Sequence, residues 1–165
     1  VDLDLGCLYE LKNGRKGCIQ ALGNAFGNLL APPYIALQGD DRTGGAGEIL
    51  RINGGMIARI RRILLYAFIY DGAANWAAAG GTATIRAPEN PDIVIRLDDN
   101  RSNLGTCAIA LLENVRDETF RVKKAVKFFN DHRGMDAAFH WGMQWKPGKK
   151  LIPSGSAAPA VSPEM

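Results

Sequence analysis

The sequence predicts an all-β fold, a two-sheet β-sandwich with one or two short helices. Short runs rich in β-branched and aromatic residues recur about every 8–12 residues, with turn residues between them. Residues 63–70 are continuously apolar, which is typical of a central strand covered on both faces. Helix-like patterns are confined to two brief stretches, 56–62 and 135–140.

Length and composition are those of one ordinary globular domain. The chain has 165 residues, of which 47% are hydrophobic and 22% charged, and its formal charge of +3 is too small to indicate nucleic-acid binding. No apolar run approaches the roughly 20 residues of a membrane helix. We expect a cytoplasmic domain over residues 1–146 and a flexible Pro/Ser/Ala-rich tail over 147–165. Because Val1 already lies in a strand-like pattern, we also expect upstream residues.

The N-terminal stretch is predicted to be an amphipathic strand. Apolar residues occupy the odd positions of residues 1–11, and Asp2 and Asp4 lie among the even ones. The two carboxylates therefore project from one face, about 7 Å apart. Two interpretations stay open: a solvated outer face, which the residues alone favour, and a cation shared with another acidic segment.

The remaining elements follow from turn signals and periodicity. Asn13-Gly14 predicts a hairpin turn, and residues 119–129 alternate Phe and Val with Arg and Lys. Further strands are predicted at 18–22, 34–37, 48–53, 82–86, 93–97 and 106–112, with a last edge strand at 141–145.

An acidic, glycine-rich loop spans residues 39–48. It contains four glycines and the carboxylates of Asp40, Asp41 and Glu48. Glycine lets a backbone turn its carbonyls inward, and Ca²⁺ takes about six to eight oxygen ligands from flexible segments. The loop lacks the closing residues of a phosphate-binding loop and the EF-hand spacing. A calcium site is the leading hypothesis, and a plain solvated turn is the alternative.

The ordered set of motifs resembles the TerD/TerA group of tellurium-resistance, stress-response proteins of bacteria. The matching stretches cover about residues 1–150 and are closer to the TerA branch. They are Val1-Asp2-Leu3-Asp4-Leu5-Gly6, Gln20-Ala21-Leu22-Gly23, Gly39-Asp40-Asp41-Arg42-Thr43-Gly44, residues 63–70 with Asp71-Gly72-Ala73-Ala74-Asn75-Trp76, and Met135-Asp136-Ala137-Ala138-Phe139-His140-Trp141-Gly142.

The resemblance implies a calcium-binding β-sandwich and a set of ligands. These are the carboxylates of Asp2, Asp4, Asp40, Asp41 and Glu48, with backbone carbonyls near Arg42 and Gly45. The family's loop continues with a run of Asp and Glu, whereas this chain has Gly45-Ala46-Gly47-Glu48. Because fewer carboxylates compensate less of the charge of Ca²⁺, we expect one firm site at most.

The expected function is non-enzymatic. A Ca²⁺-ordered loop would engage protein partners of a tellurium-resistance system or other domains of the parent chain. The alternative is a metal-free protein-interaction domain of a larger chain in the same system. A third hypothesis, reductive chemistry at Cys7, Cys18 or Cys107, has no supporting motif.

Basic residues form two groups in the sequence. Arg59, Arg61 and Arg62 precede the apolar run, and a second group alternates along residues 121–127. They would form one basic patch for an acidic partner only if the fold brought them together.

Overall fold

The computed structural model describes residues 2–41, 47–71, 74–79, 81–97, 102–148 and 163–165, with the backbone alone at positions 2, 39–41, 47, 71 and 79. In chain order its elements are β1 (Asp2–Leu11), β2 (Lys16–Gln20), β3 (Gly27–Asn28), β4 (Ile35–Asp41), β5 (Gly47–Ile52), a 3₁₀ segment (Gly54–Arg59), β6 (Ile60–Asp71), α1 (Trp76–Ala79), β7 (Thr82–Ile85), β8 (Ile93–Arg96), β9 (Thr106–Val115), β10 (Thr119–Phe129) and α2 (His132–Phe139).

A five-stranded antiparallel sheet lies at the centre of the domain. Its strand order is β10-β9-β6-β1-β2, so the predicted buried run is the middle strand. Two smaller sheets, β3-β4-β5 and β7-β8, complete the strand content of the described residues. The all-β prediction is confirmed, as is the Asn13-Gly14 turn between β1 and β2. Helical segments overlap both predicted stretches, but residues 60–62 belong to β6, and the short helix α1 was not predicted.

Both faces of the five-stranded sheet are covered. On one face, Cys7, Tyr9 and Ile63 share a core with Ile35 of β4 and Ile95 of β8. This is the sandwich interface. On the other face, the central strands pack against α2 and the segment that follows it; the buried residues there are Leu8, Leu22, Leu64, Tyr66, Phe68, Ala108, Met135 and Trp141.

Residues 141–145 do not form the predicted edge strand. They run as irregular chain over the sheet, with Trp141 fully buried. Gly142 has a φ of +76°, a left-handed conformation that breaks an extended strand. The backbone N–H groups of Gly142 and Met143 donate to the Asp136 carboxylate and not to the carbonyl groups of a neighbouring strand. The prediction of an edge strand at residues 141–145 was therefore wrong.

Most of the predicted tail, residues 149–162, lies outside the described residues, so its flexibility stays a prediction. Residues 163–165 lie beside Lys146: the N–H of Met165 donates to the Lys146 carbonyl at 3.0 Å. The Gln20 side-chain amide donates to the carbonyl of Glu164. Within the described residues, no helix is long and apolar enough to cross a membrane.

Candidate functional site

The β4–β5 hairpin brings the acidic loop to the start of β1. Asp41 pairs with Gly47 at the end of the hairpin, and the next residue, Glu48, is half-buried. Its Oε2 accepts a hydrogen bond from the Leu5 N–H at 3.4 Å. Since β2 ends opposite Gly6, Leu5 lies just past the edge of that strand, where the hairpin can reach it.

Asp4 is buried, which overturns the interpretation that favoured a solvated outer face. Its side chain is 1% exposed. Asp4 pairs with Phe68 and shares its strand face with Leu8, and that face is covered by the α2 layer. The period-two pattern indicated one buried face, but here the second face is enclosed as well. A carboxylate taken out of water requires compensating donors or charge.

The structure places the side chain of one predicted ligand, Glu48, at the backbone of the residue that follows Asp4, while the Asp4 side chain lies on the strand face shared with Leu8. The strand that carries Asp4 and the side chain of Glu48 meet at Leu5. The backbone of Asp2 pairs with Asp71 at the same end of the sheet. The side chains of Asp2, Asp40 and Asp41, and all of Arg42 and Gly45, lie outside what the structure describes. We call the five carboxylates Asp2, Asp4, Asp40, Asp41 and Glu48 the acidic end.

A row of alternating charges crosses the other end of the sheet. Backbone pairing places Lys16, Glu10, Arg62, Glu113 and Arg121 side by side on β2, β1, β6, β9 and β10. Opposite charges on neighbouring strands attract, whereas like charges repel. The fold thus brings the two basic groups of the sequence near each other, but glutamates separate them, and the result is a charge-paired row.

Arg62 connects this row to the C-terminus of α2. Its Nε lies 2.6 Å from Glu10 Oε1, and its Nη1 and Nη2 donate to the carbonyls of Phe139 and His140 at 3.0 and 3.1 Å. The guanidinium carbon lies 3.6 Å from the centre of the Trp141 ring. A cation at a helix C-terminus compensates the partial negative charge of its free carbonyls.

Asp136 organises the segment after α2. Its Oδ1 accepts from the Gly142 N–H at 2.7 Å. Its Oδ2 accepts from the Met143 N–H at 2.8 Å and from the Trp145 indole N–H at 2.9 Å. We call these four residues the Asp136 cluster. The family-type motif of residues 135–142 therefore holds the chain against the sheet through one buried carboxylate.

A buried polar network lies beneath α2. Gln20 Oε1 accepts from the Tyr66 hydroxyl at 2.6 Å and lies 2.9 Å from His132 Nε2. Burial lowers the pKa of His132 to about 4, so the imidazole is neutral at neutral pH. Cys18 Sγ lies 3.0 Å from the Tyr66 hydroxyl, and burial raises the pKa of the Cys18 thiol to about 12.

A groove of about 500 Å³ lies beside the Asp136 cluster. It is bordered by β2, α2 and residues 141–145, and its lining includes Lys16, Arg133, Met143 and Trp145. Among the described residues that line it, Asp136 is the single carboxylate. Lys16 is distant in the chain from the other lining residues, which all lie between Arg133 and Trp145.

Comparison with known proteins gives two informative matches. The chain is 46% identical over 152 residues to the tellurium resistance protein TerA of Alcaligenes sp., covering 91% of this chain and 44% of that protein. The chain thus spans less than half the length of this curated relative. A crystal structure of a homologue of the telluride resistance protein TerD from Streptomyces coelicolor A3(2) superposes with a TM-score of 0.58 at 15% identity.

The structural match covers 82% of this chain and 83% of the other, and at this low identity it shows the fold alone. No family model matches the sequence. The fold agrees with the TerD homologue, and the sequence agrees with TerA along nearly the whole chain. The chain therefore belongs to the TerD/TerA-type family of tellurium-resistance proteins.

Proposed function

We propose that the domain is a non-enzymatic Ca²⁺-binding module of a tellurium-resistance stress-response system. The bound metal orders the loop of residues 39–48 and presents it to a protein partner or to another domain of its parent chain. The observation that carries this proposal is the hydrogen bond between Glu48 and the Leu5 N–H, which joins the acidic hairpin to the strand of the buried Asp4.

The donor chemistry of the described residues fits such a metal. Asp4 and Glu48 supply carboxylates from two chain segments, and Ca²⁺ accepts carboxylate oxygens in flexible arrangements. The carboxylates of Asp2, Asp40 and Asp41 and the carbonyls near Arg42 and Gly45 would complete the shell. Bound Ca²⁺ contributes positive charge, which holds these segments together against their mutual repulsion.

The environment of the cysteines supports a non-enzymatic role. Cys7 and Cys107 are fully buried, and burial raises the pKa of both thiols, to about 12 for Cys107. Cys18 has a raised pKa for the same reason. Since the thiolate is the reactive form of cysteine, these environments oppose thiol-based reduction at neutral pH.

Thermal unfolding after EDTA treatment tests the proposal. With ~1 mM Ca²⁺ restored, a ligand present at about a hundred times its Kd stabilises the fold by about 2.7 kcal/mol. For a domain of this size that corresponds to a rise in Tm of roughly 5–10 °C. Mg²⁺ at the same concentration should give a much smaller rise, because it demands near-octahedral geometry.

A matched pair of variants locates the effect. Asp40→Ala with Asp41→Ala should abolish the Ca²⁺-dependent rise. The control, Asp92→Ala with Asp117→Ala, removes two carboxylates that are about half exposed, with values of 50% and 51%, and should retain it. A wild-type Tm that does not respond to Ca²⁺ would instead support the metal-free interaction domain.

A further inference from the structure

The groove beside the Asp136 cluster has the properties of a peptide-binding surface. Its volume of about 500 Å³ falls within the range of about 300–1,000 Å³ that is usual for ligand sites. The half-buried side chains of Met143 and Trp145 contribute apolar surface. Aromatic side chains often dominate the energy of a peptide contact, and methionine adapts to different shapes.

The charges of the groove favour an anionic ligand. Lys16 and Arg133 are both exposed and line it. Lys16 donates one N–H to the Trp141 carbonyl at 2.9 Å, which leaves two of its three N–H donors for another acceptor. Arg133 Nε lies 3.6 Å from Asp131 Oδ2, and the two side chains are 63% and 38% exposed, so the pairing is weak.

The carboxylate of the groove does not oppose an anion strongly. Both oxygens of Asp136 already accept hydrogen bonds from the backbone of Gly142 and Met143 and from the indole of Trp145. Its side chain is also buried, with the residue only 4% exposed. The charged groups that remain exposed at the lining are therefore mainly cationic.

The spacing of the two cations favours a peptide over a small anion. Arg133 lies in the first turn of α2, while Lys16 is bonded to Trp141, just past the helix end. Seven residues of helix separate these points by about 10 Å. In an extended peptide about three residues span the same distance. An extended peptide with two carboxylates at this spacing can therefore offer one to each cation.

We propose that this groove binds an extended acidic segment of a partner protein, in which two carboxylates about three residues apart flank apolar side chains. The carboxylates contact Lys16 and Arg133, and the apolar residues between them pack on Met143 and Trp145. This surface is distinct from the acidic end and does not require Ca²⁺.

Intrinsic tryptophan fluorescence tests the proposal. The probe is a ten-residue peptide without Trp that contains Glu-Leu-Phe-Glu, titrated into the full chain. Because Trp145 lines the groove, binding should change its emission in a saturable manner, equally in EDTA and in Ca²⁺. A Gln-Leu-Phe-Gln peptide should bind at least about tenfold more weakly, since it lacks the charges.

Three variants locate the binding site. Arg133→Glu and Met143→Glu should each weaken binding by at least about tenfold, the first through charge reversal and the second by placing a carboxylate on the apolar surface. Arg51→Glu makes the same charge change at an exposed position of β5, in the other sheet. It should leave binding within about twofold, and unchanged Tm values would show that each variant is folded.

Several results would overturn the proposal. The proposal fails if the peptide gives no saturable response or if Arg51→Glu weakens binding as much as Arg133→Glu does. It also fails if a thymidine oligonucleotide binds more tightly than the acidic peptide. Concentration-dependent self-association that Met143→Glu abolishes would assign the groove to a second copy of the chain. Ca²⁺ dependence of peptide binding would also contradict it, while leaving the proposed metal function intact.

Discussion

The acidic end and the Asp136 cluster hold carboxylates in different ways. In the Asp136 cluster, one carboxylate accepts three N–H groups at 2.7–2.9 Å, all from residues within nine positions in the chain. At the acidic end, carboxylates come from β1 and from the β4–β5 hairpin, and the contact that joins these two segments runs from Glu48 to the backbone N–H of Leu5, at a longer 3.4 Å. The first arrangement is satisfied by the protein itself. The second takes its carboxylates from segments that are distant in the chain, and we propose that a divalent cation stabilises them.

The largest expected effect comes from removing the carboxylate of the Asp136 cluster. Asp136→Ala leaves three N–H donors without their acceptor, two of them in the backbone. We expect a loss of about 3–5 kcal/mol in the free energy of unfolding, measured by urea denaturation. The loss should be the same in EDTA and in Ca²⁺.

The matched control for this change is Asp131→Ala. Asp131 caps α2 by accepting the Gly134 N–H at 3.0 Å, and its loss should cost only about 1 kcal/mol. If Asp136→Ala cost no more than this control, the segment after α2 would not depend on the carboxylate.

The second effect is a pH dependence that arises at His132. Its pKa is lowered from 6.5 to about 4 in the folded protein, so the unfolded chain binds the proton more tightly. The stabilisation from the neutral imidazole is therefore complete above pH 6.5 and is lost as the pH falls towards 4. The loss amounts to roughly 3 kcal/mol.

The variant His132→Gln retains an N–H for Gln20 but cannot titrate, so its unfolding free energy should fall less steeply over this pH range. The control is His140→Gln, which removes an exposed histidine and should leave the wild-type slope. Parallel slopes for wild type and His132→Gln would show that the buried imidazole does not control acid stability.

A smaller effect is expected at the helix C-terminus. Arg62→Lys keeps the charge but loses the planar group that contacts Glu10, two carbonyls and the Trp141 ring. We expect a loss of about 1–2 kcal/mol in urea denaturation. Arg61→Lys is the control, because Arg61 lies 3.6 Å from the same glutamate with its side chain 54% exposed, and its effect should be close to zero. Equal effects would mean that the contacts of Arg62 contribute nothing specific.

Most of the fold was predictable from local signals. The apolar run of residues 63–70 identified the central strand β6, and Asn13-Gly14 identified the first hairpin. Both signals depend on neighbours in the chain. The prediction for residues 141–145 was wrong because the N–H groups of Gly142 and Met143 bond to the side chain of Asp136, which local sequence patterns do not reveal.

The site was less predictable because its contacts join distant positions. Asp4 is buried on a strand face whose packing includes Met135 of α2, more than a hundred residues later in the chain. The pairing of Arg62 with the end of α2 spans 77 residues, and no local pattern indicates it. The acceptor role of Asp136 also lacked a local signal, because its carboxylate bonds to residues six to nine positions later in the chain.

Amide hydrogen exchange with and without Ca²⁺ tests the contrast between the two regions most directly. We predict that added Ca²⁺ slows exchange at residues 2–5 and 38–49 of EDTA-treated protein and leaves residues 136–145 unchanged, because only the acidic end gains a ligand. No change at residues 2–5 and 38–49, or equal slowing in both regions, would contradict a metal site at the acidic end.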